Sequence, residues 1–331
     1  MEEVISVKDL VVIYPDGTRA VDGISFAVRE GEFFGFLGPN GAGKSTTIKV
    51  LTTLLRKTSG QATVAGHDIS QSPAEIRKVI GVVSQETSLD IDLTGRENLR
   101  LHGRLQQLHG QALEERVDEL LGLVQLEEVG QKLVGRYSGG MRKRLDLACA
   151  LVHKPRLLFL DEPTTGLDTQ SRVTLWDHLE ELNKTEGITI FLTTQYLEEA
   201  DKLCRELSII DHGKIIANGS PSALKEAVGG ESIMLTLKDK TDLALRTKTK
   251  DTLLAIRGIS GVSDWDEGVV AYAKNAGLVI AEVVTSLDRN GIHPLFLSVS
   301  SPTLDDVFLR ETGRRIRANG LGRRETEPFL M

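Results

Sequence analysis

Residues 4 to 14 and 24 to 28 alternate apolar and polar side chains, the period of strands with one face on a core and one on solvent. The segment FFGFLG at 33–38 is a compact apolar run that ends in glycine, which predicts a buried strand entering a tight turn. A helix is expected from Lys44 to about Leu55, then a strand at 61–65, then an almost wholly helical stretch from 95 to 151. RLLFL at 156–160 is continuously apolar, as a central parallel strand covered on both faces must be. ITIFLTT at 188–194 and LSIID at 207–211 repeat that character. Strands alternating with helices predict a three-layer α/β domain.

A second periodic unit opens near Val228-Gly229-Gly230. Its pattern predicts a strand at 232–238, a helix near 249–256, and strands near 261–265 and 268–273. A helix at 275–289, a strand at 293–300 and a helix at 303–311 follow. The order βαββαβ, with one helix added, predicts a small α+β, ferredoxin-like C-terminal domain. No sequence repeat links the two units. The expected division is 1–228, containing a helical subdomain at about 87–152, then 229–313, then a basic flexible tail at 314–331.

Composition narrows the classes of partner. The 331 residues are 40% hydrophobic and 26% charged, enough apolar material for two cores. The net charge of −7 lies wholly in the first 230 residues, with 26 basic against 33 acidic side chains; the remainder is balanced at 14 and 14. No basic face suits nucleic acid, so none is expected as a partner. The one basic stretch, with Arg314, Arg315, Arg317, Arg323 and Arg324, reads as a solvated tail. Cys149 and Cys204 sit in apolar contexts and read as reduced core thiols. The start, MEEVISVKDL, lacks the pattern of a secretory signal, and no apolar run approaches the ~20 residues that cross a bilayer. The expectation is a cytoplasmic chain. If it serves transport, another chain supplies the membrane path.

The strongest chemical signal is GPNGAGKST, Gly38–Thr46, between a predicted strand and a predicted helix. Its spacing is that of a phosphate-binding loop. Gly38, Pro39, Asn40, Gly41, Ala42 and Gly43 would bring backbone N–H groups around phosphate oxygens, and the helix start adds partial positive charge. Lys44 would reach the β- and γ-phosphates of ATP, Ser45 would offer oxygen to Mg²⁺, and Thr46 closes the loop. Asp161 and Glu162 stand at the end of the apolar strand 156–160. Adjacent strand residues point to opposite sides, yet at a strand end the second can turn toward the nucleotide. Asp161 would then hold Mg²⁺, and Glu162 would polarise the attacking water.

SGGMRKR at 138–144 discriminates among the users of such a loop. With it, residues 1 to about 228 resemble the ATP-binding cassette superfamily, although Tyr137 stands where that family usually has leucine. The resemblance implies that Tyr14 stacks on adenine with Val21 nearby. It further implies that Gln85 joins the catalytic and helical lobes, serving catalysis and the metal, and that Asp168 contacts a second copy. Two cassettes would pair head to tail as a homodimer, each meeting the other's ATP through Ser138, Gly139 and Gly140. NKTE at 183–186 is a decoy for guanine reading, because its last residue is glutamate and Gly187 ends a charged helix there.

Gln195 departs from the superfamily, which usually places histidine there against the γ-phosphate. Glutamine donates a hydrogen bond but carries no charge at neutral pH. TTQYLEEAD at 193–201, and SPTLDDVFLRETG at 301–313, resemble the daunorubicin-resistance group of drug exporters. That resemblance implies an ATPase at the cytoplasmic face of the membrane, driving efflux of a hydrophobic drug, antibiotic or lipid through a separate ABC-2-type permease. It also implies that the C-terminal motif supports assembly, against the plainer reading that Leu304, Val307 and Phe308 pack inside the chain. The rivals are an exporter subunit for polysaccharide or lipid-linked cargo and a soluble cassette protein outside transport.

Overall fold

A computed structural model describes residues 2–228, 230–238 and 241–313; Gly229 and the basic tail at 314–331 lie outside the described residues. The chain divides into two compact units, Met1–Pro221 and Ser222–Met331. The cut precedes the expected one at 228, because the helix Pro221–Ala227 goes with the second unit. There the Arg310 guanidinium donates to the Ala227 carbonyl.

The first unit holds two sheets. The smaller is antiparallel, in the order Arg19–Arg29, Glu3–Ile13, Ser59–Val64, His67–Asp68. The larger runs Lys214–Gly219, Glu206–Asp211, Phe33–Leu37, Thr189–Thr194, Leu157–Asp161, Ile80–Val83, parallel except for its first strand. The continuous apolar runs are its central strands, buried at every position. Phe26, Phe34, Phe36, Phe159 and Phe191 form one cluster with ring centroids 5.4–5.9 Å apart. Aromatic pairs at that spacing add to the burial of their area, so the strand carrying the phosphate loop is anchored on rigid rings.

The expected helix from Lys44 ends at Leu51 rather than Leu55. Thr52 turns its hydroxyl back to the Ile48 carbonyl, and Thr53 takes φ 63°, which no helix continues. The helical stretch resolves into Gly95–Leu105, Gly110–Leu123 and Gly139–Ala150. A reciprocal cap of Thr94 and Glu97 starts the first of these.

In the second unit four strands form an antiparallel sheet, ordered Ile259–Trp265, Gly268–Ala273, Glu231–Thr236, Phe296–Ser300. Its first and third strands along the chain are central, the arrangement of a split βαβ fold. The helices Leu243–Leu254 and Ala276–Arg289 bury Leu253, Val279, Val283 and Leu287 with Ile233, Leu235, Val269 and Ala271 in one core. The first helix begins earlier than expected, because Asp242 caps it by accepting from the Leu245 N–H. The last strand begins later, after Pro294, which lacks a backbone donor. The final helix, Leu304–Thr312, buries Leu304, Val307, Phe308 and Leu309 within the single chain. Among the described residues no helix is long and apolar enough to cross a membrane.

Candidate functional site

Parallel register sets Leu37 beside Thr194 and Ile209, and Asp161 beside Thr193. The residues that follow these strand ends therefore meet at one edge: Gly38, Glu162, Gln195 and, after Val83, Gln85. The carboxyl edge of a parallel sheet is where ligands bind in such folds.

The loop at that edge admits only glycine at two points. A side chain on Gly38 would lie 2.3 Å from the Ile210 carbonyl oxygen. Gly43 has φ 108°, and a Cβ there would lie 2.4 Å from the Ala20 carbonyl oxygen. Lys44 is 4% exposed, and its ammonium donates to the carbonyls of Gly38 at 2.7 Å and Pro39 at 2.9 Å. The same Nζ stands 3.0 Å from Glu162 Oε1.

Glu162 reaches the lysine through its backbone. Its φ of 49° breaks the strand alternation, so that it and Asp161 both serve one side. A non-glycine residue in this region stores strain on the order of 1 kcal/mol, and such outliers gather at functional sites. Backbone N–H of Glu162 donates to the Thr193 carbonyl at 3.1 Å, and Thr165 donates its hydroxyl to Oε2 at 3.3 Å. Asp161 Oδ1 accepts from the Ser45 hydroxyl at 3.0 Å and the Thr193 hydroxyl at 2.6 Å. The Ser45–Asp161 oxygen pair fits Mg²⁺, which takes few protein ligands and fills its shell with phosphate and water. An all-protein cage is not needed, and no group of three or more His, Cys, Asp or Glu side chains among the described residues offers one.

A pocket of about 420 Å³ opens over this floor, lined by Tyr14, Asn40, Gly41, Gly43, Lys44, Ser45, Thr46, Gln85 and Glu162. Thr18 and Ala20 complete the wall. Val21, expected beside adenine, is instead fully buried in the apolar core. Strand alternation turns Ala20 to the pocket and Val21 away, a distinction that the period of the segment carries. Tyr14 stands at the rim with its hydroxyl 3.1 Å from Thr46 Oγ1.

Gln195 is 5% exposed, and its Oε1 has no hydrogen-bond partner among the described residues. It does not face solvent, nor is it part of the pocket wall. Behind it, Glu199 is fully buried and accepts from Trp176 Nε1 at 2.8 Å. Burial pushes the Glu199 carboxyl above its ordinary 4.5, against the hydrogen bonds that favour its charge. Arg172 lies 4.5 Å above the Tyr196 ring. The helix Thr169–Glu186 thus braces the segment that carries Gln195 at two points.

Ser138, Gly139, Gly140 and Asp168 stand apart from the pocket. Ser138 is exposed and caps the helix Gly139–Ala150, accepting from Met141 N–H. Asp168 is likewise exposed, caps the next helix, and accepts from the Ser171 N–H at 2.9 Å and hydroxyl at 2.7 Å. Those bonds hold its carboxyl below the usual range. Gly140 lets Ser171 approach, since a Cβ there would lie 2.6 Å from Ser171 Oγ. Tyr137, in place of leucine, is buried and donates its hydroxyl to the Val129 carbonyl at 2.8 Å. Gly95 makes room for that phenol. Cys149 and Cys204 are both buried and free.

A family model described as ABC transporter matches residues 21–165. The chain is 43% identical over 300 residues to the daunorubicin resistance ATP-binding protein DrrA2 of Streptomyces coeruleorubidus, covering 90% of this chain and 91% of that one. It is 40% identical over 298 residues to the Nod factor export ATP-binding protein I of Sinorhizobium fredii, covering 90% and 82%. Among solved structures it is similar to a dimeric ATP-binding cassette in a post-hydrolysis state bound to ADP and Pi. That likeness has a TM-score of 0.60 at 25% identity, over 65% of this chain and 98% of the other.

Proposed function

We propose that this chain, which belongs to the ABC transporter family, hydrolyses ATP to drive efflux of a hydrophobic drug, antibiotic or lipid through a separate ABC-2-type permease at the cytoplasmic face of the membrane. The observation that carries the reading is the 43% identity to a daunorubicin resistance protein across both units, not the cassette alone. In this reading Tyr14 stacks on adenine and Lys44 pairs with the β- and γ-phosphate charge. Glu162 accepts the proton of the attacking water as the bond from the γ-phosphorus to the ADP oxygen breaks. Ser45, Asp161 and Gln85 would hold Mg²⁺, whose charge offsets that of the phosphates. A second copy supplies Ser138, Gly139, Gly140 and Asp168. The exposure of Ser138, Gly139 and Asp168 in the single chain supports that role, because an exposed helix start suits an anion from outside.

The C-terminal unit is read as a regulatory and assembly domain. The apolar face of SPTLDDVFLRETG is buried within its own chain, so assembly would engage the exposed face, including Arg310 and Glu311. The second reading, export of a polysaccharide or another lipid-linked cargo, draws support from the 40% identity to a Nod factor export protein.

Glu162→Gln keeps the pocket but removes the proton acceptor. With ATP and Mg²⁺ it should accumulate as a dimer on size exclusion, while turnover falls ~10²–10⁴-fold. Turnover at the wild-type rate removes Glu162 as the base. For the cargo, membrane vesicles carrying the chain and its permease should take up daunorubicin only with ATP. Full ATPase activity without uptake favours the second reading.

A further inference from the structure

The segment 84–89, which carries Gln85, has neither helix nor strand of its own, and its side chains are mostly exposed. Two charged side chains of one helix grip it, and His102 of another bonds the Ser88 backbone. Lys143, 7% exposed, donates its ammonium to the Ser84 carbonyl at 3.1 Å and the Gln85 carbonyl at 2.7 Å. One turn further along, Asp146 Oδ1 accepts from the Ser88 N–H at 3.2 Å and the Ser88 hydroxyl at 2.9 Å. Both anchors lie on the helix Gly139–Ala150, whose exposed start is Ser138.

Burial of these charges carries a cost. Desolvation pulls the Lys143 ammonium down and pushes the Asp146 carboxyl up. The lysine is partly compensated by its two carbonyls and by the negative charges of Asp146 and Asp161. An apolar side chain would fill the same space without that cost. What it could not do is fix two successive backbone carbonyls by charge-assisted bonds, which are roughly twice as strong as neutral ones.

We propose that Lys143 is a positioning residue for ATP hydrolysis, holding the backbone of Gln85 so that its side chain keeps its place in the nucleotide pocket. Because Lys143 and Ser138 share one helix, contact of Ser138 with a second chain's ATP bears on Gln85 of this chain. The inference rests on the reading of Gln85 and Ser138 given above. It adds a physical link between the two nucleotide sites that runs through a single helix, five residues from cap to ammonium.

A double-mutant cycle tests it on the full-length chain. Lys143→Met should lower kcat ~10- to 100-fold, the cost of a small misplacement, with the Kd for ATP unchanged. Lys143→Arg, which also offers charged donors, should recover most of the loss. In a Gln85→Ala background, Lys143→Met should cost nothing further. If the two losses instead combine additively, within about two-fold, Lys143 does not act through Gln85 and the inference is overturned. If Gln85→Ala is as active as the wild type, the reading of Gln85 itself falls. Thermal unfolding checks that each variant is folded. Should Lys143→Met not fold, Asp146→Asn loosens the other anchor and enters the same cycle, with the same two outcomes.

Discussion

Two glycine-rich stretches, 38–46 and 138–144, each run into the first turn of a helix, and beyond that they differ in every respect that matters for chemistry. The first is closed on itself. Its lysine is buried, bonded to two carbonyls of its own loop and paired with Glu162. The second is open: Ser138 and Gly139 are exposed, and the nearest functional neighbour is the cap of the following helix. The first has the walls of a site; the second, under the proposed function, supplies half of one. Under the proposed function the same local device, backbone N–H groups at a helix start, serves a ligand held in the chain in the first case and a ligand held by another chain in the second. It follows from that proposal that one copy should bind ATP and that two should be needed to use it.

The sharpest break in the comparison comes from Lys44→Ala. Loss of a buried, hydrogen-bonded charge typically costs about 2–5 kcal/mol, so ATP affinity should fall ~30- to 5,000-fold. Titration with a fluorescent ATP analogue measures it, and wild-type affinity would mean that the closed loop has been misread. Ser138→Arg attacks the open stretch instead. ATP binding to the dilute single chain should be unchanged, while steady-state turnover drops ~10²–10³-fold, as for other lost oxyanion donors, and the ATP-dependent dimer disappears. Weakened binding by the single chain would erase the distinction between the two stretches.

Gln195 lies between these extremes, buried beside the closed loop with an unpartnered oxygen. Gln195→Ala should cost activity by up to ~10² in rate through loss of a placed donor. Gln195→His should remain active and acquire a pH dependence near the imidazole pKa of about 6.5, absent from the wild type. ATPase rates from about pH 6 to 8.5 decide it. Identical profiles for all three proteins would remove Gln195 from the reaction.

The smallest effect concerns what braces Gln195. Glu199 is a carboxyl whose pKa is raised in the folded chain, so the folded state binds its proton more tightly than the unfolded state does. The stabilisation from that proton is present below the unfolded value, and stability falls as pH rises from there through the folded pKa. Glutamine keeps the acceptor for Trp176 and never ionises. Glu199→Gln should therefore match the wild type at acid pH and exceed it at pH 8 by roughly 2–4 °C in thermal unfolding. A gain that does not grow with pH would show that folding does not raise the Glu199 pKa.

The chain's own period and punctuation determined a good deal. The continuous apolar runs at 33–37, 157–160 and 189–194 are the central parallel strands, and the βαββαβ pattern is the second sheet with its two covering helices. The phosphate loop was legible because its geometry is local. Nine residues hold the turn, the lysine and the helix start, and steric limits on glycine act within that span. Other features depended on segments far apart in the chain. The turn of Glu162 toward Lys44 follows from a positive φ that only its surroundings sustain. The grip of Lys143 on Gln85 joins residues more than fifty positions apart, in a loop with no periodic signal. Side-chain period and turn chemistry act over one or two turns of chain, and they decide what each element is. Which elements become neighbours is decided by how the apolar faces are buried together, and that balance exists only in the folded whole.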